Sequence, residues 1–211
     1  FADNFTIRNI HIRCEKDDLL GSLGEEEYAR DLHIGTGGIC KSYFGKGLTD
    51  RNTNIIDNCS FEGTISENGG GICGGYCGIG FGGDLDRRND IDGAKIIIQN
   101  CYSDGDIDIG GGGICGFRSG CIGANITIQN CYSIGIKRGH ITNQAEGAGG
   151  ICGRLGAKDG NVTIINCYSD GNIDSGSGGI CGSNFGQGRN GNVIIRNCYS
   201  KGHIARSGGG I

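Results

Sequence analysis

Short runs in which aliphatic and polar residues alternate recur along the chain. Lys95 to Gln99, Asn125 to Gln129, Asn161 to Ile165 and Asn192 to Arg196 all follow one scheme, seen best in Asn161-Val162-Thr163-Ile164-Ile165. Alternation with period two over five residues is the mark of a strand with one buried face. Each run leads into the phrase Asn-Cys-Tyr-Ser, starting at Asn100, Asn130, Asn166 and Asn197, with a variant at Asn58-Cys59-Ser60-Phe61. A Gly-rich stretch ending in Gly-Gly-Ile-Cys follows, with its cysteine at Cys40, Cys73, Cys115, Cys152 and Cys181. Residues 4–10 match residues 192–198, with Ile10 in the place of the cysteine, so there are six copies, those after the first spaced about 30 to 42 residues apart.

A repeat of this length is the signature of a stacked array, and no copy has enough apolar surface to fold alone. The expected coil has three strands: one into Asn-Cys, a second through Cys-Tyr-Ser-x-Gly-x-Ile, and a third at Gly-Gly-Ile-Cys. Equivalent strands pair in parallel about 4.8 Å apart, so six coils make a rod roughly 29 Å long. Asn at each corner tolerates left-handed backbone and can form an amide ladder along the stack. Tyr102, Tyr132, Tyr168 and Tyr199 are expected to form an outward column, broken by Ser60 and His11. Extra residues fall in loops, at Lys41 to Thr53, Gly74 to Ala94 and between Cys131 and Cys152. In the first-coil insert, Ser22 to Glu25 has capping-box spacing ahead of Glu26 to Leu32, which predicts one short helix.

Composition agrees with an array. Glycine is 46 of 211 residues and proline is absent, which excludes collagen and leaves few helices. The net charge of -4 has both signs interspersed, so nucleic acid is not an expected partner. No apolar run approaches the ~20 residues of a membrane span. Residues 1–211 read as a single solenoid segment that enters and leaves within a repeat, part of a longer array.

Thirteen cysteines change the picture further. Cys59 to Cys73, Cys101 to Cys115 and Cys167 to Cys181 are each 14 residues apart, and Cys131 to Cys152 is the same pair with an insertion. The preferred reading is a bridge within each coil for these four pairs, with Cys77–Cys121 between coils and Cys14–Cys40 in the first. Free thiols packed as small buried hydrophobes are the alternative. No Cys-x-x-Cys is present, which argues against a zinc site. Disulfides would place the chain in an oxidising setting, extracellular or on a cell or virion surface.

Catalytic signals are thin. Asp104, Asp106 and Asp108 alternate, as do Asp170, Asn172 and Asp174, and either set could offer oxygens to Ca²⁺ from one face. The competing reading is a solvated acidic face, with Arg138 pairing Asp108 and Asp174. Asp84, Asp86, Asp90 and Asp92 form a weaker acidic loop. His11, His33, His140 and His203 join no Ser/Asp constellation, and no nucleophile motif or phosphate loop occurs, so no enzyme is expected. Ca²⁺ aside, no cofactor is expected. Asn4, Asn125 and Asn161 head glycosylation sequons at one shared repeat position. The corner residue Asn58 heads a fourth and could not carry a glycan if it points inward.

The Gly-Gly-Ile-Cys-Gly and Asn-Cys-Tyr-Ser-x-Gly-x-Ile phrases resemble the GLUG-type repeat of surface and secreted proteins, adhesins among them. They are also similar to Asn- and Cys-rich repeats encoded by giant viruses and protists. The resemblance implies a right-handed parallel β-helix, all-β, serving as a stalk or surface module. Cysteine stands at ladder positions where such repeats often carry aliphatic residues. Three functions follow in order: a structural rod, fibre or stalk that self-associates end to end or with neighbouring copies; an adhesin module binding a glycan or receptor through the loops near Lys41 and Asp84; and, last, a polysaccharide-active enzyme.

Overall fold

The structure, a computed structural model, describes residues 4–14, 35–46, 48, 53–79, 93–139 and 146–211. Its strands come in pairs, a longer one and then a shorter one. They are β1 (Thr6–Arg8) and β2 (His11–Arg13), β3 (Thr53–Asp57) and β4 (Ser60–Glu62), β5 (Lys95–Gln99) and β6 (Tyr102–Asp104). Then come β7 (Asn125–Gln129) and β8 (Tyr132–Ile134), β9 (Asn161–Ile165) and β10 (Tyr168–Asp170), β11 (Asn192–Arg196) and β12 (Tyr199–Ser200). The odd strands form one six-stranded parallel sheet in chain order, and the even strands form a second. Every coil therefore lies on the one before it, in a parallel β-solenoid. Among the described residues there is no α-helix, and the short helix expected at 26–32 lies outside them.

One register runs through the stack. Ile7, Ile56, Ile98, Ile128, Ile164 and Ile195 share a column, as do Asn125, Asn161 and Asn192. The inward column is fully buried from Ile56 to Ile164, and Ile72, Ile114, Ile151 and Ile180 close the core from the opposite wall. The corner asparagines behave as expected. Asn9, Asn58, Asn100, Asn130, Asn166 and Asn197 all have φ between 52° and 55°, in the left-handed region that Asn tolerates. They point outward, and their side chains ladder: Asn166 Nδ2 donates to Asn130 Oδ1 at 3.2 Å and Asn197 Nδ2 to Asn166 Oδ1 at 3.2 Å. Asn100 Nδ2 instead donates to Asp57 Oδ1 at 2.8 Å. That bond, followed by Gln99 and the Arg8 guanidinium, holds the Asp57 carboxyl below the usual carboxylate range.

The third wall departs from expectation. Gly-Gly-Ile-Cys does not extend into a strand, and the coils touch there only at single bridges, Gly70–Gly112–Gly149–Gly178 and Cys73–Cys115–Cys152–Cys181. The cause is local: a Cβ on Gly112 would lie 2.0 Å from the carbonyl oxygen of Cys115, so the chain doubles back too tightly to stay extended.

That wall also presses on the second sheet. A Cβ on Gly113 would lie 2.4 Å from the Cβ of Ser133, which explains why the inward column of the short strands is Ser103, Ser133, Ser169 and Ser200 after Phe61. Ser169 Oγ donates to the carbonyl of Gly179, whereas the buried hydroxyls of Ser103 and Ser133 have no partner. An orphaned buried hydroxyl costs stability and a bonded one contributes it, each by about 1 kcal/mol. Ser133→Ala is therefore expected to raise the urea midpoint and Ser169→Ala to lower it.

Two ion pairs join the first coil to the second. In the first coil Arg8 Nε meets Asp57 Oδ2 at 3.0 Å, and Arg13 Nε meets Glu62 Oε2 at 3.5 Å. The same two columns end in Arg196 and Lys201 in the last coil.

Candidate functional site

The cysteines line the interior as two columns, and this corrects the disulfide assignment. All thirteen are free thiols. Cys59, Cys101, Cys131, Cys167 and Cys198 stand one above another just past the asparagine corner. Each thiol donates to the carbonyl two residues back, at 3.4, 3.1, 3.3, 3.2 and 3.3 Å in chain order. The shared rotamer holds these sulfurs against backbone carbonyls on their own side of the core, opposite the facing wall. There Cys40, Cys73, Cys115, Cys152 and Cys181 form the second column, and Cys73 lies against Cys40, Cys115 and Cys77. Hence Cys59–Cys73, Cys101–Cys115, Cys131–Cys152 and Cys167–Cys181 are not bridged. The constant 14-residue offset is a property of the repeat length, since any two repeat positions keep a fixed separation.

The other two pairs also fail. Cys77 sits beside Cys73 and Cys115, while the Cys121 thiol donates to Leu155 O at 3.3 Å. Cys14 packs in the small cluster around Phe61, apart from the main core that holds Cys40. Burial pushes up the thiols of Cys59, Cys73, Cys131 and Cys181, and lifts Cys121 to about 11. Cys101 and Cys167 go the other way, because the Cys131 thiol hydrogen-bonds to them.

The acidic trio does not converge. β6 ends at Asp104, and Gly105 at φ 152° breaks the alternation that would have kept all three on one face. Asp106 accepts from Ile136 N at 3.1 Å and from Arg138 at 2.7 Å, while Asp108 accepts from the next backbone N–H, Ile109, at 2.8 Å. Arg138 thus pairs with Asp106; the expected partner Asp108 is turned back to its own turn. Among the described residues no three His, Cys, Asp or Glu side chains are arranged to hold a metal ion. Asp84, Asp86, Asp90, Asp92, His33 and His140 lie outside the described residues. Asn4 and Asn161 are exposed and Asn125 half-buried along the outer edge of the first sheet, with Asn161 Nδ2 donating to Asn125 Oδ1 at 2.8 Å.

Three arrangements went unread in the sequence. The first is His11, whose Nδ1 lies 2.7 Å from Ser60 Oγ. Ser60 is only 2 % exposed, so its hydroxyl is not offered to a substrate. The pair instead heads the tyrosine column, in which Tyr102, Tyr132, Tyr168 and Tyr199 stack at 5.0, 4.9 and 5.3 Å with rings within 5° of parallel.

The second is Lys137, which is 0 % exposed in the interior column of Ile65, Ile107, Ile173 and Ile204. Its Nζ donates to the carbonyls of Gly135 at 2.8 Å and Asp170 at 2.5 Å, and burial lowers its pKa to about 8.

The third is an aromatic corner past the second cysteine column. Tyr43 stacks on Tyr76 at 4.9 Å, and Phe117 meets Tyr76 edge-on at 5.6 Å. The Arg118 guanidinium covers Tyr76 and Phe117 at 5.8 and 5.1 Å, and Arg154 covers Phe117 at 5.4 Å while reaching Glu146 at 3.5 Å. Left-handed backbone at Tyr43, Tyr76 and Arg118 turns these side chains to the surface beside Lys41. A shallow open groove of about 310 Å³ lies further along, lined by Lys158, Asp159, Gln187, Gly188 and Arg189.

No family model and no curated protein matches the chain. Among solved structures it is similar to a crystal structure from Bacteroides ovatus, of a protein provisionally assigned as an immunoglobulin A1 protease. The likeness has a TM-score of 0.43 and 20% identity, over 98% of this chain and 68% of that one. A resemblance so remote carries no argument about chemistry.

Proposed function

We propose that the chain is a structural segment, a rigid rod that forms part of an extracellular fibre or stalk. The observation that supports this reading is the unbroken register of six strands in each sheet, with corner Asn and outward Tyr columns spent on coil-to-coil contacts. Such a stack is stiff along its axis, because bending it must open parallel ladders on one side. The extracellular setting rests on the sequons at Asn4, Asn125 and Asn161 along one outer edge, since free thiols supply no redox argument for it. Glycans at Asn4, Asn125 and Asn161 would then coat one edge and leave the tyrosine column bare. Association with neighbouring copies belongs to the same reading.

A second reading, an adhesin module, draws on the aromatic corner. Tyr43, 37% exposed, groups with Tyr76, Phe117, Arg118 and Lys46 as surface rings and cationic donors, and a sugar would stack on Tyr43 by displacing Lys46, which lies 5.0 Å over its ring. Small-angle scattering and a glycan array separate the two. A stiff rod with no saturable glycan retention is the expected result. Retention that is lost in both Tyr43→Ala and Arg118→Ala would replace the first reading with the second, and turnover of a polysaccharide would overturn both.

A further inference from the structure

The two-column arrangement creates sulfur pairs that no spacing within one coil reveals. Cys59, Cys101, Cys131, Cys167 and Cys198 hold one rotamer: beside the bond to its own strand, each thiol leans toward a carbonyl of the previous coil. Those contacts are 4.0, 3.9, 3.6, 3.6 and 3.6 Å in chain order, so each sulfur is displaced toward the gap between coils. The backbone N–H of Cys59 even donates to the Cys101 sulfur, at 3.4 Å. Side chains in one rotamer on stacked parallel coils repeat with the coils, at about 4.8 Å. Two sulfurs at that distance are too far apart to form a disulfide, whose S–S bond is about 2.05 Å. A metal–thiolate bond is about 2.3 Å, so two in line span about 4.6 Å, nearly one coil spacing.

We propose that this column takes up soft, thiophilic monovalent cations, Cu(I) or Ag(I), each held in line between the sulfurs of successive coils. The five sulfurs frame four such gaps: Cys59–Cys101, Cys101–Cys131, Cys131–Cys167 and Cys167–Cys198. Thiolate selects Cu(I) over harder ions, and two-coordinate binding needs no third donor. That accords with the absence, among the described residues, of any three-ligand cluster. Each cation forms its bonds as one S–H proton leaves, so charge within the core stays near balance. Cys198 is half-buried and the other four are buried. The surrounding carbonyls that now accept the thiol protons are spared desolvation costs only partly, so the coils must breathe for loading.

The test is titration of the reduced protein with Ag(I) in chloride-free buffer, and with Cu(I) against a chelating competitor. Native mass spectrometry counts the ions, circular dichroism follows the fold, and X-ray absorption reads the coordination shell. The expected result is uptake with the β-sheet signal intact and a shell of two sulfurs without nitrogen or oxygen. Cys131→Val should hold two fewer ions, since it removes the sulfur shared by two gaps; a buried thiol packs as a small hydrophobe, which valine can replace. Uptake only as the β signal is lost, an unchanged ion count in a folded Cys131→Val, or a mixed-donor shell would overturn the proposal. Should that variant not fold, the wild-type shell and fold signal decide the matter alone.

Discussion

Replacing Lys137 with isoleucine is expected to raise stability by about 2 kcal/mol, in the range seen when buried charged groups give way to apolar ones. The side chain is fully buried and occupies a place that isoleucine fills in the other coils. Two carbonyls accept from its ammonium group, but they do not replace the water it has lost. The pH profile carries the same signature. Burial lowers the folded-state pKa to about 8, against about 10.4 for an unfolded lysine. Between those values the unfolded chain binds a proton that the folded chain does not, so stability must rise with pH across that window. Below pH 8 the cost of the buried cation is present in full; above about 10.4 it is gone. The gain across the window is about 3 kcal/mol at most. Thiols also titrate there, so the quantity to measure is the difference between wild type and Lys137→Ile in urea melts at pH 7.5 and 10.5. A difference independent of pH would show that Lys137 keeps an ordinary lysine pKa in the fold, and so stays solvated.

Gly135→Ala is expected to cost about 3 kcal/mol, the upper range for overpacking. Its φ of 128° is a conformation that L side chains avoid, and a Cβ there would lie 2.2 Å from the carbonyl oxygen of Gly105 on the coil below. Backbone cannot yield as a side-chain tip can, so two coils must separate. Gly78→Ala is the matching control. Its φ of 79° is also one that L side chains avoid, but the nearest atoms to a Cβ there belong to side chains, Ile126 Cδ1 at 3.2 Å first. It should cost only about 1 kcal/mol, the strain of left-handed backbone. Equal losses at the two positions would mean that glycine serves local backbone freedom and not the approach of a neighbouring coil.

The architecture was legible because it is written six times. Strand alternation, corner Asn and the Tyr column each repeat, so stacking in register followed from the text. What failed were inferences about which way a side chain turns. The 14-residue offset between cysteines fixed which coil positions they occupy, but a free rotation about one bond decides whether sulfur faces the opposite wall or the next coil. Asp108 and Arg138 stand in matching positions, but Asp108 found a nearer donor in its own turn. Lys137 was missed for another reason. Aligning Gly105-Asp106-Ile107 with Gly135-Ile136-Lys137 puts it in the isoleucine column, but the apolar Ile136 beside it obscures that the lysine is the inward residue. The aromatic corner had a signal that went unused: Tyr43, Tyr76 and Arg118 each stand three residues past the Gly-Gly-Ile-Cys cysteine, and Phe117 and Arg154 two past it.

The two charged columns restrict which coils can lie next to each other. In the first coil Arg8 and Arg13 rest on Asp57 and Glu62, so a cation over an anion is the combination that stacking favours. A lysine in place of Asp57 or Glu62 would set cation on cation, opposed by roughly 1 kcal/mol at about 5 Å in water. Coils that share one backbone are therefore not interchangeable, and their order along the stack is spelled out in part by the charges they bring to shared columns.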